Sequence, residues 1–248
     1  MSRQPEGPPP PPVVQRLRVR YAKRGRLRFT SHRDFARAFE RAIRRADVPI
    51  GFSAGFSPHP KVSYAGATPT GVASEAEYLE IGLAASCQPT AVLTALDAAL
   101  PPGIDIVAVV DAADSPAKTL AELIEASLWE IQLPDVSVTD ATSAVDALLA
   151  VDTAPVERLT KDGSRTVNVR AGIVSVAVSG SDLNAGCATL DVVVRHLTPA
   201  VRPDDILTAL RSIGALSTPV IPVVTRLAQG RFDETSPEDA KRLIDPLA

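Results

Sequence analysis

Hydrophobic and polar residues alternate with period two in Arg16-Leu17-Arg18-Val19-Arg20-Tyr21. This predicts a strand with Leu17, Val19 and Tyr21 in the core and Arg16, Arg18 and Arg20 lining an open face. After Lys23-Arg24-Gly25 the alternation resumes in Arg26-Leu27-Arg28-Phe29, as a hairpin or one bulged strand. The period then lengthens: Phe35, Phe39, Ala42, Ile43 and Ala46 recur at helical spacing, which predicts a helix from about Arg33 to Ala46 with Arg37, Arg41, Arg44 and Arg45 largely on its other side. Ser31 followed by Asp34 resembles a capping box at its start, and Pro49 closes the helical region. The basic strand and basic helix are expected to share one surface.

Gly51 to Pro60 reads as a loop, Lys61 to Ala67 as a strand, Pro69-Thr70-Gly71 as a turn and Glu77 to Ala84 as a second strand. A helix over Thr90 to Leu100, with Val92, Leu93 and Leu96 inward, and a strand over Ile104 to Val110 complete the order β-α-β-β-α-β. Ser115-Pro116 opens a linker helix to about Glu125. The order then repeats: strand Ser127 to Leu133, helix Asp140 to Ala150, an interrupted strand Arg165 to Val178 broken near Gly172, strand Cys187 to Arg195, helix Pro203 to Ile213 and strand Val220 to Leu227. The predicted fold class is α+β, with two tandem ferredoxin-like (βαββαβ) domains built on antiparallel sheets, at 15–113 and 127–230, joined by a linker helix at 114–126. A Pro-rich tail at 1–14 is expected to be disordered, and 231–248 to be a charged tail with a short helix after Pro237.

Charge sharpens this picture. Residues 16–45 carry 12 Lys/Arg against Asp34 and Glu40, in a chain whose net charge is −3. Residues 1–61 hold 14 of the 26 bases and 4 of the 29 acids. Clustered bases on one face are the footprint expected of a polyanion binder, and Arg16, Arg18, Arg20, Arg28, Arg33, Arg37, Arg41, Arg44, Arg45 and Lys61 are its candidates. Lys161, Arg165 and Arg170 extend the basic character into the second half or are exposed hairpin charges. A solvated basic face is the plain alternative.

At 248 residues and 45% apolar content the chain can fill two cores, chiefly with Ala, Val and Leu because aromatics make up only 4%. The 22 prolines mark element boundaries. Cys87 and Cys187 have no metal spacing and are expected to be buried thiols in a reducing cytosol. No signal-peptide pattern is present and no apolar run nears the ~20 residues that span a bilayer, so a soluble cytoplasmic protein is expected. Walker-type GxxxxGK[ST], GxGxxG, HExxH and GxSxG motifs are missing, and no cofactor or metal site is predicted.

Three residues have the chemistry for acid/base work. His32 and His59 flank the Gly/Pro loop and can face one another beside arginines, and Glu75 shares a strand side with Glu77. Each also has an ordinary reading, His32 as part of a helix start and Glu75, Glu77 and Glu80 as cross-strand partners of arginines. His196 is read as structural.

The motif residues Phe29, Ser31, His32, Asp34, then Arg44, Arg45, Pro49, then Gly55, Phe56, Pro58, Pro60, and finally Pro69, Gly71, Ser74, Glu75 resemble the radical-SAM-associated domain-of-unknown-function family. The likeness is strongest over 16–83. It is looser to about residue 228, with Asn168 and Glu80 where the family more often has Asp. The resemblance implies association with a radical-SAM enzyme. This chain lacks the CxxxCxxC triad that holds a [4Fe–4S] cluster, so it is read as a companion to such an enzyme. The leading expectation is an auxiliary RNA-binding protein that presents tRNA or rRNA to a separate radical-SAM modification enzyme. The alternatives are an enzyme acting on RNA or a phosphorylated small molecule through His32, His59 and Glu75, and a structural protein-interaction module.

Overall fold

The computed structural model describes residues 10–114, 119–160, 163–181, 186–233 and 243–248. Its first strand, β1 (Gln15–Lys23), buries Leu17, Val19 and Tyr21 as the alternation requires. β2 (Val62–Ala65), β3 (Ala73–Leu83) and β4 (Ile104–Asp111) follow; β1 pairs antiparallel with β3 and β4, and β2 pairs with β3, giving the order β4-β1-β3-β2. Helices α1 (His32–Arg45) and α2 (Pro89–Ala99) cover one face. Phe35, Phe39, Ala42 and Ile43 of α1 and Val92 and Leu96 of α2 join Leu17, Val19, Tyr21, Leu79, Ile81 and Leu83 in one core. The Phe35 ring stacks on Tyr21 at 4.3 Å and 5°. Full burial of each such side chain contributes about 1.5–3 kcal/mol, so this apolar face fixes where α1 lies.

That placement corrects one expectation. Residues alternate across a strand, so with Leu17, Val19 and Tyr21 turned toward the helices, Arg16, Arg18 and Arg20 point to the opposite face of the sheet. The strand and helix arginines do not share a surface.

The second basic stretch is also not a strand. Gly25, at φ +54, turns the chain, and Gly25–Phe29 forms a 3₁₀ turn with Leu27 N donating to Arg24 O (3.0 Å) and Thr30 N to Leu27 O (2.9 Å). At the start of α1 the Ser31 Oγ accepts from Asp34 N (3.2 Å) and donates to the Asp34 carboxylate (2.7 Å), which is a cap without the reciprocal bond of a full capping box. At its end Asp47 takes φ 51 and Val48 N donates to Ile43 O (3.2 Å), the closure usually built on glycine.

The chain divides into two units, one running to Leu123 and taking in Leu247–Ala248, the other Ile124–Pro246. The second contains β5 (Ala126–Pro134), α3 (Val138–Ala150), β6 (Pro155–Thr160), β7 (Gly163–Asn168), a one-turn α4 (Val169–Gly172), β8 (Ile173–Ser181), β9 (Cys187–Arg195), α5 (Pro203–Ser212), β10 (Val223–Phe232) and β11 (Leu243–Ile244). Antiparallel pairing gives β10-β5-β9-β8, with β11 on β10 and β6 paired to β7 as a separate hairpin. The molecule is thus α+β, with antiparallel strands outweighing few helices.

The interrupted strand expected over Arg165 to Val178 is β7, α4 and β8, preceded by a strand, β6, that the hydrophobic pattern does not reveal. Its outward Leu159 is 89% exposed and its neighbours Glu157 and Arg158 are charged, so no apolar alternation stands out. Of the linker helix expected from Ser115, residues 115–118 lie outside the described residues, and Leu120–Leu123 forms a 3₁₀ turn. Lys161, most of the Pro-rich tail and the short helix expected after Pro237 likewise fall outside them.

In the second unit Arg158 reaches α5. Its Nη2 is hydrogen-bonded to the Asp205 carboxylate and to Ala200 O (2.9 Å), its Nε donates to the other Asp205 oxygen (3.1 Å), and that carboxylate also accepts from Arg202 N (2.7 Å). Asp205 is buried. Asp205→Ala leaves the guanidinium without its counter-charge and removes the cap of α5, so urea denaturation is expected to register a loss of about 3 kcal/mol.

His196 Nε2 lies 2.8 Å from the Oγ of fully buried Ser127, and His196 N donates to Glu125 O (2.7 Å). Loss of water from the ring and then the Arg226 charge push the imidazole below its ordinary 6.5, although the residue keeps an exposed edge. A histidine held neutral in the fold binds its proton more readily when unfolded. Its contribution is therefore complete above about pH 6.5 and is lost as pH falls below that. The urea midpoint should drop between pH 7.5 and 5.5, and His196→Gln should reduce that drop.

Candidate functional site

The candidate basic residues fall into two groups with different electrostatics. On β1, Arg16 and Arg18 are compensated. Arg16 Nη1 and Arg18 Nε lie 2.9 and 3.2 Å from the two oxygens of Glu80 on β3, which faces Arg18 across the ladder. The Arg20 Nε donates to Glu75 O (2.9 Å). The side chain of Arg16 is 64% exposed and that of Arg18 only 1%, so the open row of guanidiniums expected on this strand is interrupted at its centre: Arg18 is buried against Glu80 and withdrawn from any external ligand. Arg24, just beyond the strand, is bound on two sides, by Glu75 and by Asp105 (2.7 Å). The Glu75 hydrogen bonds, seconded by Asp105, hold its guanidinium even more firmly charged than usual.

On α1 the bases are not compensated. Arg33, Arg37, Arg41, Arg44 and Arg45 are all exposed, and among the described residues none forms an ion pair; Arg44 Nε only donates back to Glu40 O (3.3 Å). They sit there because the apolar stripe of Phe35, Phe39, Ala42 and Ile43 commits the opposite side of the helix to the core. Arg33/Arg37, Arg37/Arg41 and Arg41/Arg45 are spaced i,i+4, and each such like-charged pair opposes helix formation by about 0.2–0.5 kcal/mol. Arg28, on the preceding turn, lies over the Phe29 ring at 4.8 Å, and Lys61 is exposed.

The loop before β2 forms a second feature. Gly51 N donates to Gly82 O (2.7 Å), Gly82 N to Lys61 O (2.9 Å) and Lys61 N to Gly51 O (2.8 Å), tying the loop base to the β3 edge. A Cβ on Gly51 would lie 3.1 Å from Gly82 O, so glycine permits this approach. Inside the loop Ser53 N donates to His59 O (2.9 Å), His59 N to Ser53 Oγ (3.0 Å), and Phe52 bridges Pro60. The base of the loop borders a cleft of about 290 Å³ lined in part by Arg16, Ser53, His59, Lys61 and Glu80.

The three acid/base candidates have different immediate partners. His32 meets the edge of Tyr64 at 4.7 Å, His59 lines the cleft, and Glu75 is engaged with Arg24. No hydrogen bond, ion pair or ring contact joins any two of them among the described residues. Tyr64, whose hydroxyl is pushed up by burial and by the Glu40 charge, offers His32 no acid or base near neutrality. No cluster of three His, Cys, Asp or Glu side chains suited to a metal occurs among the described residues, and Cys87 and Cys187 are both free thiols, Cys187 exposed where a buried one was expected.

Much of the motif shapes the chain. Ser31 and Asp34 cap α1. Gly71, at φ +93, donates to Arg28 O (2.8 Å) and brings its backbone against Phe29, whose Cε1 would be 3.8 Å from a Cβ there. Pro60 pairs with Phe52 and buried Ser74 accepts from Ala76 N (3.2 Å). The cross-strand pairing expected of Glu80 is present and is shared by Arg16 and Arg18, whereas Tyr64 as the partner of His32 was missed. The alternation of β3 placed Glu80 opposite the β1 arginines, but only the register shows which arginine it meets.

No helix among the described residues is long and apolar enough to cross a membrane. Among solved structures, DyPB from Rhodococcus jostii RHA1, crystal form 2, is similar at 14% identity over 81% of this chain and 84% of that one, with a TM-score of 0.19, too low to carry an argument. A search of curated proteins finds no match. The sequence pattern of a family described as uncharacterized proteins conserved in bacteria, DUF2344, matches residues 16–203, and the chain belongs to that family.

Proposed function

We propose that this chain is an auxiliary RNA-binding protein that engages tRNA or rRNA through the exposed face of α1. The observation that carries this reading is the row formed by Arg33, Arg37, Arg41, Arg44 and Arg45, exposed and in no ion pair among the described residues, in a unit where Arg16 and Arg18 are matched to Glu80 and Arg24 to Glu75 and Asp105. A row of like charges that works against its own helix is relieved by a polyanion. A helix of 14 residues is about 21 Å long, enough to follow several successive phosphates. The enzyme reading draws no support from the separate settings of His32, His59 and Glu75.

The strand orders β4-β1-β3-β2 and β10-β5-β9-β8, each with helices inserted in the βαββαβ sequence, support two tandem ferredoxin-like domains. A separate radical-SAM modification enzyme as the partner rests on the motif resemblance alone. The cytoplasm is the compartment in which such an RNA partner and two free thiols coexist.

Fluorescence anisotropy with a labelled tRNA pool tests the reading. Binding is expected at 50 mM salt, and the combined Arg37→Gln, Arg41→Gln, Arg44→Gln variant should bind at least about tenfold more weakly while its stability stays within about 0.5 kcal/mol of the parent. No binding at low salt, or binding that ignores the three substitutions, would overturn it.

A further inference from the structure

The loop bordering the cleft carries an aromatic that the fold does not use. Phe56 is 73% exposed and has no ring or cation contact among the described residues, unlike Phe29, which has Arg28 over its face and Gly71 beside it. The loop is not loosely attached: the Phe52–Pro60 bridge and the reciprocal Ser53–His59 bonds close its base. Gly55, at φ +132 with nothing within 4 Å of a built Cβ, turns the chain immediately before Phe56. The sequence thus presents a large apolar ring on a braced loop whose base borders a cleft lined by Arg16, Lys61 and His59.

An exposed ring on a loop whose base carries a cation suits one chemistry in particular. Unpaired bases stack on exposed aromatic side chains while nearby Lys and Arg hold the sugar–phosphate backbone. His59, on the cleft wall, is three residues from Phe56, a reach of at most about 10 Å along the chain. In the cleft Glu80 is already matched to Arg16 and Arg18, leaving Lys61 as the cation without an acidic partner among the described residues. A base paired in a duplex cannot offer its face to Phe56, so the site selects single-stranded nucleic acid.

We infer that the Gly51–Lys61 loop is a second, separate contact that captures an unpaired nucleotide of the bound RNA, with the base stacked on Phe56 and its phosphate beside Lys61. This rests on the RNA-binding reading above but makes a distinction that reading does not: α1 takes any polyanion, and this loop takes only unpaired strands.

The test uses the full chain with two probes, a 12-nucleotide single-stranded oligouridine and a 12-base-pair RNA duplex, at equal low salt. Phe56→Ala should weaken the single strand about tenfold, the size of one base–aromatic stack (~1.4 kcal/mol), and leave the duplex unchanged. Lys61→Gln should act in the same direction on the single strand. Phe56→Trp should retain single-strand affinity, and its indole fluorescence should be quenched by the oligouridine against the constant background of Trp129, the chain's one native tryptophan. If the parent binds RNA but Phe56→Ala leaves single-strand affinity intact, or weakens both probes equally, the inference is overturned while the α1 reading stands; an aromatic used instead to dock a protein would give the first of these results. If the parent binds neither probe, both fail together.

Discussion

The period-two alternation of β1 governs which charges of this protein are available. By sending Leu17, Val19 and Tyr21 into the core under α1 and α2, it sends Arg16, Arg18 and Arg20 to the far side, where Glu80 takes two of the three guanidiniums. Burial of a guanidinium as complete as that of Arg18 is tolerable only with a carboxylate close by. The helix obeys a different period and no such neighbour follows it. Its arginines share a cylinder with Phe35 and Phe39, so the residues that bind α1 to the sheet also determine that the bases face away from it. A chain with net charge −3 therefore presents in α1 a basic helix whose five exposed arginines outnumber its two acids, Asp34 and Glu40.

Most of this was legible from periodicity. The two helices of the first unit and its four strands lie where apolar spacing put them, because residues such as Leu17, Val19 and Tyr21, Leu79, Ile81 and Leu83, and Phe35 and Phe39 recur at the period of their own element. The failures have physical causes. Arg26 to Phe29 alternates like a strand, but Gly25 at positive φ diverts the chain and a four-residue alternation without a partner strand cannot override local 3₁₀ bonding. β6 was invisible since its outward side chains include Leu159 as well as charges. The placing of strand and helix arginines on one surface failed for want of a topological step: a helix covering a sheet must sit on the face carrying the apolar residues, which puts the alternate residues out of its reach.

The candidate site was legible as a set of residues but not as an arrangement. Charge clustering identified the α1 arginines directly. What sequence could not supply was the pairing: that Glu75 belongs to Arg24, Glu80 to Arg16 and Arg18, and His32 to Tyr64. Those pairings divide candidates that looked equivalent into neutralised and free. They also reassign part of the motif, since Ser31, Asp34, Gly71 and Pro60 serve as caps and turns. Residues that set backbone geometry recur in fixed patterns for reasons as strict as those of catalytic groups, and a motif alone does not separate the two.

The central claim is that the free arginines of α1, and not the carboxylate-paired Arg16, Arg18 and Arg24, meet RNA phosphates. The most direct measurement is the slope of log K against log[salt] for tRNA binding by the parent, by the Arg33→Gln, Arg37→Gln, Arg41→Gln variant and by Arg24→Gln. Each lost phosphate contact lowers the magnitude of that slope by about 0.7–0.9. The account predicts a reduction of about two for the helix variant and no change for Arg24→Gln; an unchanged slope for the helix variant, or an equal loss from Arg24→Gln, would contradict it.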